Sequence, residues 1–144
     1  MPSTSVFVQA RYTRSIYVGM LSSRIQLRGA LWVAGDELTL EYRERWRSPS
    51  TLRPVEGKLL RVSALCSSLA EVQVVPRFFG GKWLILREIA FEALRAWPGA
   101  RNGVCRFRLM ATPQQTTEDA AGELALAMAE AQLRLVERSA DQPE

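Results

Sequence analysis

Polar and apolar residues alternate through much of this 144-residue chain as far as Met110. In residues 24–33 the aliphatic side chains of Ile25, Leu27, Leu31 and Val33 share one face of an extended strand, and the other face carries Arg24, Gln26, Arg28 and Trp32. Residues 37–46 alternate in the same way, and Gly35-Asp36 between the two runs is a turn sequence. The pattern predicts that residues 24–33 and 37–46 form an antiparallel β-hairpin.

Further runs predict the other strands of a sheet. Residues 58–66 and 70–78 are two of them. A glycine pair at residues 80–81 predicts a two-residue hairpin turn, after which residues 82–87 return as a strand. Residues 104–110 alternate again and predict a last strand.

Residues 117–138 differ in kind, because they contain no proline and are rich in alanine, leucine and glutamate. Thr116 or Thr117 can cap a helix there, and acidic residues follow at the positive end of its dipole. An apolar stripe with intervals of three and four predicts one long helix that packs on the sheet: Ala121, Leu124, Met128, Ala131 and Leu135. The expected fold is mainly β (α+β), a bent antiparallel sheet or partly open barrel of six to seven strands capped by this helix.

The same helix carries a second apolar stripe, formed by Leu126, Ala129, Leu133 and Val136. A helix that only caps a sheet does not need two stripes. We therefore expect Leu126, Leu133 and Val136 to be exposed and to form a protein interface, for example in a homodimer. The alternative is that residues 1–19 fold back and cover them.

Three aromatic residues surround the glycine pair of the predicted hairpin. A two-residue turn places Phe78 opposite Trp83, which predicts a cross-strand pair in the core. Phe79 then points to the other face. We expect Trp83 to be buried, and Phe79 to be less buried and a candidate contact for a partner.

The length of the chain is that of one ordinary domain. We assign residues 21–138 to this domain, residues 1–20 to an N-terminal extension or an edge strand, and residues 139–144 to a disordered tail. No apolar run reaches the ~18–20 residues that span a bilayer, so we expect a soluble, cytoplasmic protein.

The composition argues against catalysis. The chain contains no histidine, which removes the commonest general base and metal ligand. Cys66 and Cys105 lie far apart in the sequence, and they form either a disulfide or, as we expect, two buried free thiols. We find no nucleotide-binding or hydrolase motif. The sequence therefore predicts a protein that is not an enzyme, with no cofactor, metal site or catalytic residue.

The order of the predicted elements resembles the pleckstrin homology-like architecture of small bacterial proteins. The resemblance covers roughly residues 22–138 and is carried by residues 27–45, 69–87, 92–100 and the C-terminal helix. Members that bind phosphoinositides place basic residues around the first strand–strand loop. Here that loop carries Asp36 and Glu37, which argues against headgroup binding at that place.

Charge suggests other partners. The net charge is +4, and of 19 basic residues only Lys58 and Lys82 are lysine, which leaves 17 arginines. Four of these follow one strand face and the next loop and are candidate anion-binding residues: Arg43, Arg45, Arg47 and Arg53. The leading hypothesis is a binding or scaffold module that contacts an unknown protein. A peripheral membrane or anionic-ligand module is the alternative, and an RNA-binding domain is third, because interspersed acidic residues argue against nucleic acid.

Overall fold

The described residues form one antiparallel sheet of eight strands and one α-helix. The structure, a computed structural model, describes residues 5–17, 21–48, 52–78, 80–89, 93–112 and 115–141. The sheet is open, as predicted for a partly open barrel. A 3-10 turn at Cys66–Ser68 follows the fifth strand. The elements are β1 (Val6–Tyr17), β2 (Leu21–Ala34), β3 (Glu37–Arg47), β4 (Pro54–Glu56), β5 (Leu60–Leu65), β6 (Leu69–Pro76), β7 (Lys82–Glu88), β8 (Val104–Met110) and α1 (Thr117–Asp141).

The predicted first hairpin is confirmed. Strands β2 and β3 pair antiparallel, with Leu31 opposite Leu40 and Ala34 opposite Glu37. Gly35 in the turn has a φ of 60°, a left-handed conformation that glycine adopts without steric cost. The buried apolar side chains of both strands point to one side of the sheet, which we call the inner face.

An extension or an edge strand was predicted for residues 1–20, but residues 6–17 form neither. Strand β1 lies inside the sheet, whose order is β4-β3-β2-β1-β8-β7-β6, with β5 paired to β3. Val6 and Val8 are fully buried on the inner face. β1 pairs with β2 along its length but with β8 only over Phe7–Gln9. Beyond Gln9 the strands β1 and β8 separate.

Helix α1 is the only α-helix in the described ranges, and it packs on the inner face through the predicted stripe. Leu124, Met128 and Ala131 are buried there. The backbone N–H of Asp119 donates to Oγ1 of Thr116 at 3.1 Å, so Thr116 caps the helix. The helix continues to Asp141, three residues past the predicted end, and residues 142–144 of the predicted tail lie outside the described ranges.

The second half of α1 is fastened to the β2–β3 turn. Arg138 forms an ion pair with Asp36 at 2.8 Å, and Arg134 donates to the carbonyl oxygen of Gly35 at 3.0 Å. The acidic character of this turn therefore has a structural role, because it binds the basic end of the helix.

The turn between β6 and β7 is wider than the glycine pair predicts. Pro76 and Lys82 are the residues paired nearest the turn, so the loop runs from Arg77 to Gly81. The backbone N–H of Arg77 donates to the carbonyl oxygen of Gly81 at 3.0 Å, and Gly80 and Gly81 have φ values of 94° and 77°. The two glycines end a longer loop instead of forming a two-residue turn.

This loop overturns the predicted pairing of Phe78 with Trp83. Trp83 lies opposite Val75, and Phe78 belongs to the loop, where 94% of it is exposed. Trp83 is only half-buried, because Leu84 takes the inner face and places its neighbour on the outer one. Phe79, the candidate contact residue, lies outside the described residues.

Candidate anion-binding cleft

Arginines line up across the outer face of the sheet, the face opposite α1. The strand registers place Arg43, Arg28, Gln9, Arg108 and Trp83 side by side on five neighbouring strands, from β3 to β7. Neighbouring strands lie about 4.8 Å apart, so these side chains form one continuous cross-strand row. We call it the arginine row.

A cavity of about 870 Å³ opens where β1 and β8 separate. Its lining includes Gln9 and Gln26, the ring of Trp83 and residues of the turn before β8. Arginines dominate the lining, and we call this cavity the arginine cleft. Its six arginines are Arg11, Arg28, Arg77, Arg101, Arg106 and Arg108.

No carboxylate is among the described residues that line the arginine cleft. None of its six guanidinium groups forms an ion pair with a carboxylate in the described ranges. Four arginines outside the cleft form ion pairs: Arg14 with Glu44, Arg61 with Glu41, Arg87 with Glu71 and Arg138 with Asp36. Like charges that converge without a counter-ion create a positive potential, which attracts anions.

The ring of Trp83 organises one wall of the arginine cleft. The guanidinium carbons of Arg77 and Arg106 lie 5.0 Å and 5.1 Å from its centroid. These distances are those of cation–π contacts. Trp83 therefore holds two arginines from different elements, the β6–β7 loop and β8, toward the same space.

The turn before β8 forms another part of the lining. Arg101 and Val104 exchange two backbone hydrogen bonds, of 2.9 Å and 3.0 Å. Gly99 has a φ of 71° and lies against Tyr12, since a Cβ atom at Gly99 would be 3.6 Å from the ring. The Tyr12 hydroxyl donates to the buried carboxylate of Glu44, which fixes the ring. The turn that presents Arg101 thus rests on a buried hydrogen bond.

The sequence-predicted anion site lies beside the cleft and does not line it. Arg43 belongs to the arginine row, and Arg45 lies opposite Gln26, a lining residue. Arg47 lies at the C-terminal end of β3, opposite Pro54, and Arg53 directly precedes Pro54 in the chain. Arg43, Arg45 and Arg47 do share one exposed face of β3, but the cleft opens beside β1, two strands away.

Sequence reasoning missed the cleft because its arginines come from β1, β2, β8 and two turns. Their proximity follows from the strand order, which places the first strand beside the last. The available signal was alternation, since Arg106 and Arg108 occupy the polar positions of β8 as Arg11 does in β1.

The candidate protein interface on α1 is exposed. Leu126, Leu133 and Val136 are 61%, 58% and 65% exposed. Residues 6–17 do not cover them, because they form β1 inside the sheet. The exposure agrees with the second apolar stripe, and its use as an interface stays a prediction.

The two thiols lie apart from the cleft. Cys66 and Cys105 are free and buried. Burial raises the pKa of Cys66 to about 11 and that of Cys105 to about 12, so both are protonated at neutral pH. In the part of the chain that the structure describes, no three His, Cys, Asp or Glu residues cluster as metal ligands would.

Comparison with protein-family models, with curated proteins and with solved structures found no match to this chain. The pleckstrin homology-like resemblance therefore stays a prediction from the sequence pattern. The described residues form no helix that is long and apolar enough to cross a membrane.

Proposed function

We propose that this protein is a non-enzymatic binding module, and that the arginine cleft binds a ligand carrying several phosphate groups. One observation carries this proposal: six arginines converge on one cavity, and the described residues of its lining include no carboxylate. Apart from the contacts of Arg77 and Arg106 with Trp83, the convergence of these charges does not stabilise the fold, because like charges repel one another. A polyanionic ligand removes the repulsion.

The side-chain chemistry favours phosphate. A guanidinium group is planar, stays charged at all physiological pH values and donates two parallel hydrogen bonds to phosphate oxygens. The cavity volume of about 870 Å³ lies in the upper range of small-molecule sites, so the cleft has room for more than one phosphate group. Gln9 and Gln26 add neutral donors and acceptors to the lining.

The lining also supports a binding role without catalysis. It offers donors and positive charge but no carboxylate, thiol or imidazole that would serve as a base or nucleophile. The hydroxyl of Tyr12 already donates to Glu44.

The open antiparallel sheet with a C-terminal helix supports our proposal of a pleckstrin homology-like architecture. The cleft nevertheless lies away from the first strand–strand loop, around which phosphoinositide-binding members place their basic residues. That loop is occupied by contacts to α1, through Asp36 and Gly35. Anion binding in this protein therefore uses the space between β1 and β8.

Calorimetric titration with inorganic tripolyphosphate tests the proposal. We expect binding by the unchanged protein and a loss of about ten-fold or more in affinity for Arg28→Gln with Arg108→Gln. Arg61→Gln with Arg87→Gln is the matched control, because both arginines are on the outer face but paired with carboxylates. No binding by the unchanged protein, or equal losses in both double variants, would contradict the proposal.

A second arm identifies the source of the phosphate. Flotation with phosphatidylcholine vesicles, with and without phosphatidylserine, shows whether the cleft uses lipid headgroups. Flotation that requires phosphatidylserine and is lost with Arg28→Gln and Arg108→Gln would assign the cleft to a membrane surface. Tripolyphosphate binding without flotation would assign it to a ligand in solution.

Self-association through α1 is a second candidate function. Gly122, Leu126, Ala129, Leu133 and Val136 follow the spacing 4, 3, 4, 3 of a helix–helix seam, and its leucines are exposed. Glu123, Glu130 and Glu137 line one edge of the seam. An antiparallel pair of copies would set these glutamates against each other, so we propose a parallel pair.

Sedimentation velocity tests this second function. We expect a dimer for the unchanged protein and a folded monomer for Leu126→Glu with Leu133→Glu, because both side chains lie outside the core. A monomer at all concentrations in the unchanged protein would rule out self-association. It would leave the proposal for the arginine cleft intact.

A further inference from the structure

We propose that the ligand of the arginine cleft is a single-stranded nucleic acid that lies across the outer face of the sheet. This inference rests on the proposed function, since it names the polyanion that the cleft binds. Three features of the outer face carry it: the basic surface extends beyond the cavity, aromatic side chains are exposed beside it, and amides alternate with its arginines.

The basic surface is too long for a compact phosphate compound. The arginine row crosses five strands from Arg43 to Trp83, a distance of about 19 Å at the usual strand spacing. A second row runs parallel to it, in which Arg45, Gln26 and Arg11 lie side by side. The positive charge therefore continues past the cavity onto β3, as a track for an extended polyanion.

Exposed aromatic rings lie at the borders of this track. Phe7 is 46% exposed and points to the same face of β1 as Gln9. Phe78 is 94% exposed and follows Arg77, a lining residue of the cleft. A basic groove flanked by aromatic rings is the surface that proteins present to single strands, because unpaired bases stack on the rings.

The aromatic residues of β3 lie on the face opposite its arginines. Tyr42 points to the inner face and is buried, and Trp46 shares that face. Trp83 is occupied by Arg77 and Arg106 and serves to position them. The exposed aromatic side chains beside the track are those of Phe7 and Phe78.

Amide side chains alternate with the arginines. Gln9 lies between Arg28 and Arg108 in one row, and Gln26 lies between Arg45 and Arg11 in the other. An amide both donates and accepts hydrogen bonds, as base edges require, whereas phosphate oxygens only accept them. This alternation suits a ligand in which phosphates and bases follow one another.

Fluorescence anisotropy with labelled oligouridylate and oligothymidylate of about 12 nucleotides tests the inference. We expect the protein to bind both single strands, whichever of the two it prefers. A duplex of the same length should bind about ten-fold more weakly. The affinity should fall with salt, and Arg28→Gln with Arg108→Gln should make the log–log salt slope shallower by about 1.4. Arg61→Gln with Arg87→Gln should leave the slope unchanged.

The stacking role of Phe78 has its own control. Phe78→Ser should weaken oligonucleotide binding about ten-fold and leave tripolyphosphate binding unchanged. Ile89→Ser removes another exposed apolar side chain, of which 65% is exposed, and should change neither. Equal effects of the two substitutions would overturn the stacking role and with it the assignment to single strands.

The remaining outcomes separate this inference from the proposed function. Tripolyphosphate binding without oligonucleotide binding would overturn the nucleic-acid inference and leave the anion site standing. Binding to phosphatidylserine vesicles without oligonucleotide binding would overturn it in favour of a membrane. If neither tripolyphosphate nor any oligonucleotide binds, both the inference and the proposed function fail.

Discussion

Arg11 and Arg14 lie three residues apart in β1, on opposite faces of the sheet, and their charges have different surroundings. Arg14 donates to both carboxylate oxygens of the buried Glu44 at 3.0 Å, on the inner side. Burial raises the pKa of Glu44, and Tyr12 donates to the same carboxylate. Arg11 lines the arginine cleft, where the described residues include no carboxylate.

The difference separates a charge that is paired within the fold from charges that we propose bind a ligand. A charge taken out of water must be paired, or the cost of its desolvation destabilises the protein. A guanidinium group on the outer face keeps its hydration and needs no partner. The convergence of six such groups is therefore no requirement of folding, and we attribute it to the anion that we propose as the ligand of the cleft.

The largest difference between the faces should appear at two adjacent residues of β8. Phe107 is fully buried and packs edge-on against Trp97, with ring centroids 6.3 Å apart. Phe107→Ala should lower the free energy of unfolding by about 3–5 kcal/mol, because it leaves a cavity in the core. Arg108→Ala should change it by about 0.5 kcal/mol or less. Urea denaturation measures both, and comparable losses would contradict the assignment of the faces.

The alternation that separates Phe107 from Arg108 was readable from the sequence, and so was most of the fold. The first hairpin, the C-terminal helix and its buried stripe follow from periodicity, which reports which side of an element is buried. The predicted register of the hairpin around Gly80 was wrong, because a glycine pair is compatible with more than one loop length. Strand β4 was missed because three residues are too few to show a period.

The candidate site could not be predicted to the same extent. Periodicity placed Arg28, Arg43 and Arg108 on polar faces, but it does not report which strands are neighbours. The cleft depends on the pairing of β1 with β8, and these strands are about 100 residues apart in the chain. The predicted stripe on β3 was therefore one border of a site whose other parts came from distant segments.

Removal of a carboxylate should have a large effect on the inner face and a small one on the outer face. Glu44→Ala leaves the hydroxyl of Tyr12 and the guanidinium of Arg14 without their acceptor and should cost about 1–3 kcal/mol. Glu41→Ala breaks the exposed ion pair with Arg61 and should cost less than about 1 kcal/mol. The comparison would fail if chemical denaturation showed the reverse order.

Trp83 lies between these extremes, because it is half-buried and serves the cleft more than the core. Trp83→Ala should cost about 1–2 kcal/mol, the sum of two cation–π contacts, instead of the larger loss that the predicted core position implies. Tripolyphosphate affinity should fall as well, because Arg77 and Arg106 lose their common support. A loss above about 3 kcal/mol in urea denaturation would return Trp83 to the core.

The smallest expected effect is the most diagnostic, because its sign is opposite to that of an ordinary substitution. Arg28 lies directly opposite Arg43 in the arginine row, and like charges in opposite positions destabilise a sheet. Arg28→Gln should therefore raise the free energy of unfolding of the ligand-free protein by roughly 0.2–1 kcal/mol at low salt. Arg87→Gln, which breaks the ion pair with Glu71, should give no such gain.

Salt and ligand should each remove the advantage of Arg28→Gln. At about 1 M salt the screening length falls to roughly 3 Å, so the repulsion between Arg28 and Arg43 disappears and the two proteins become equally stable. With saturating tripolyphosphate the order reverses, because the protein that binds more tightly gains more stability from the ligand. Thermal unfolding in the three conditions checks this. A gain that persists in high salt would mean that helix or strand propensity, and not charge in the cleft, separates the two proteins.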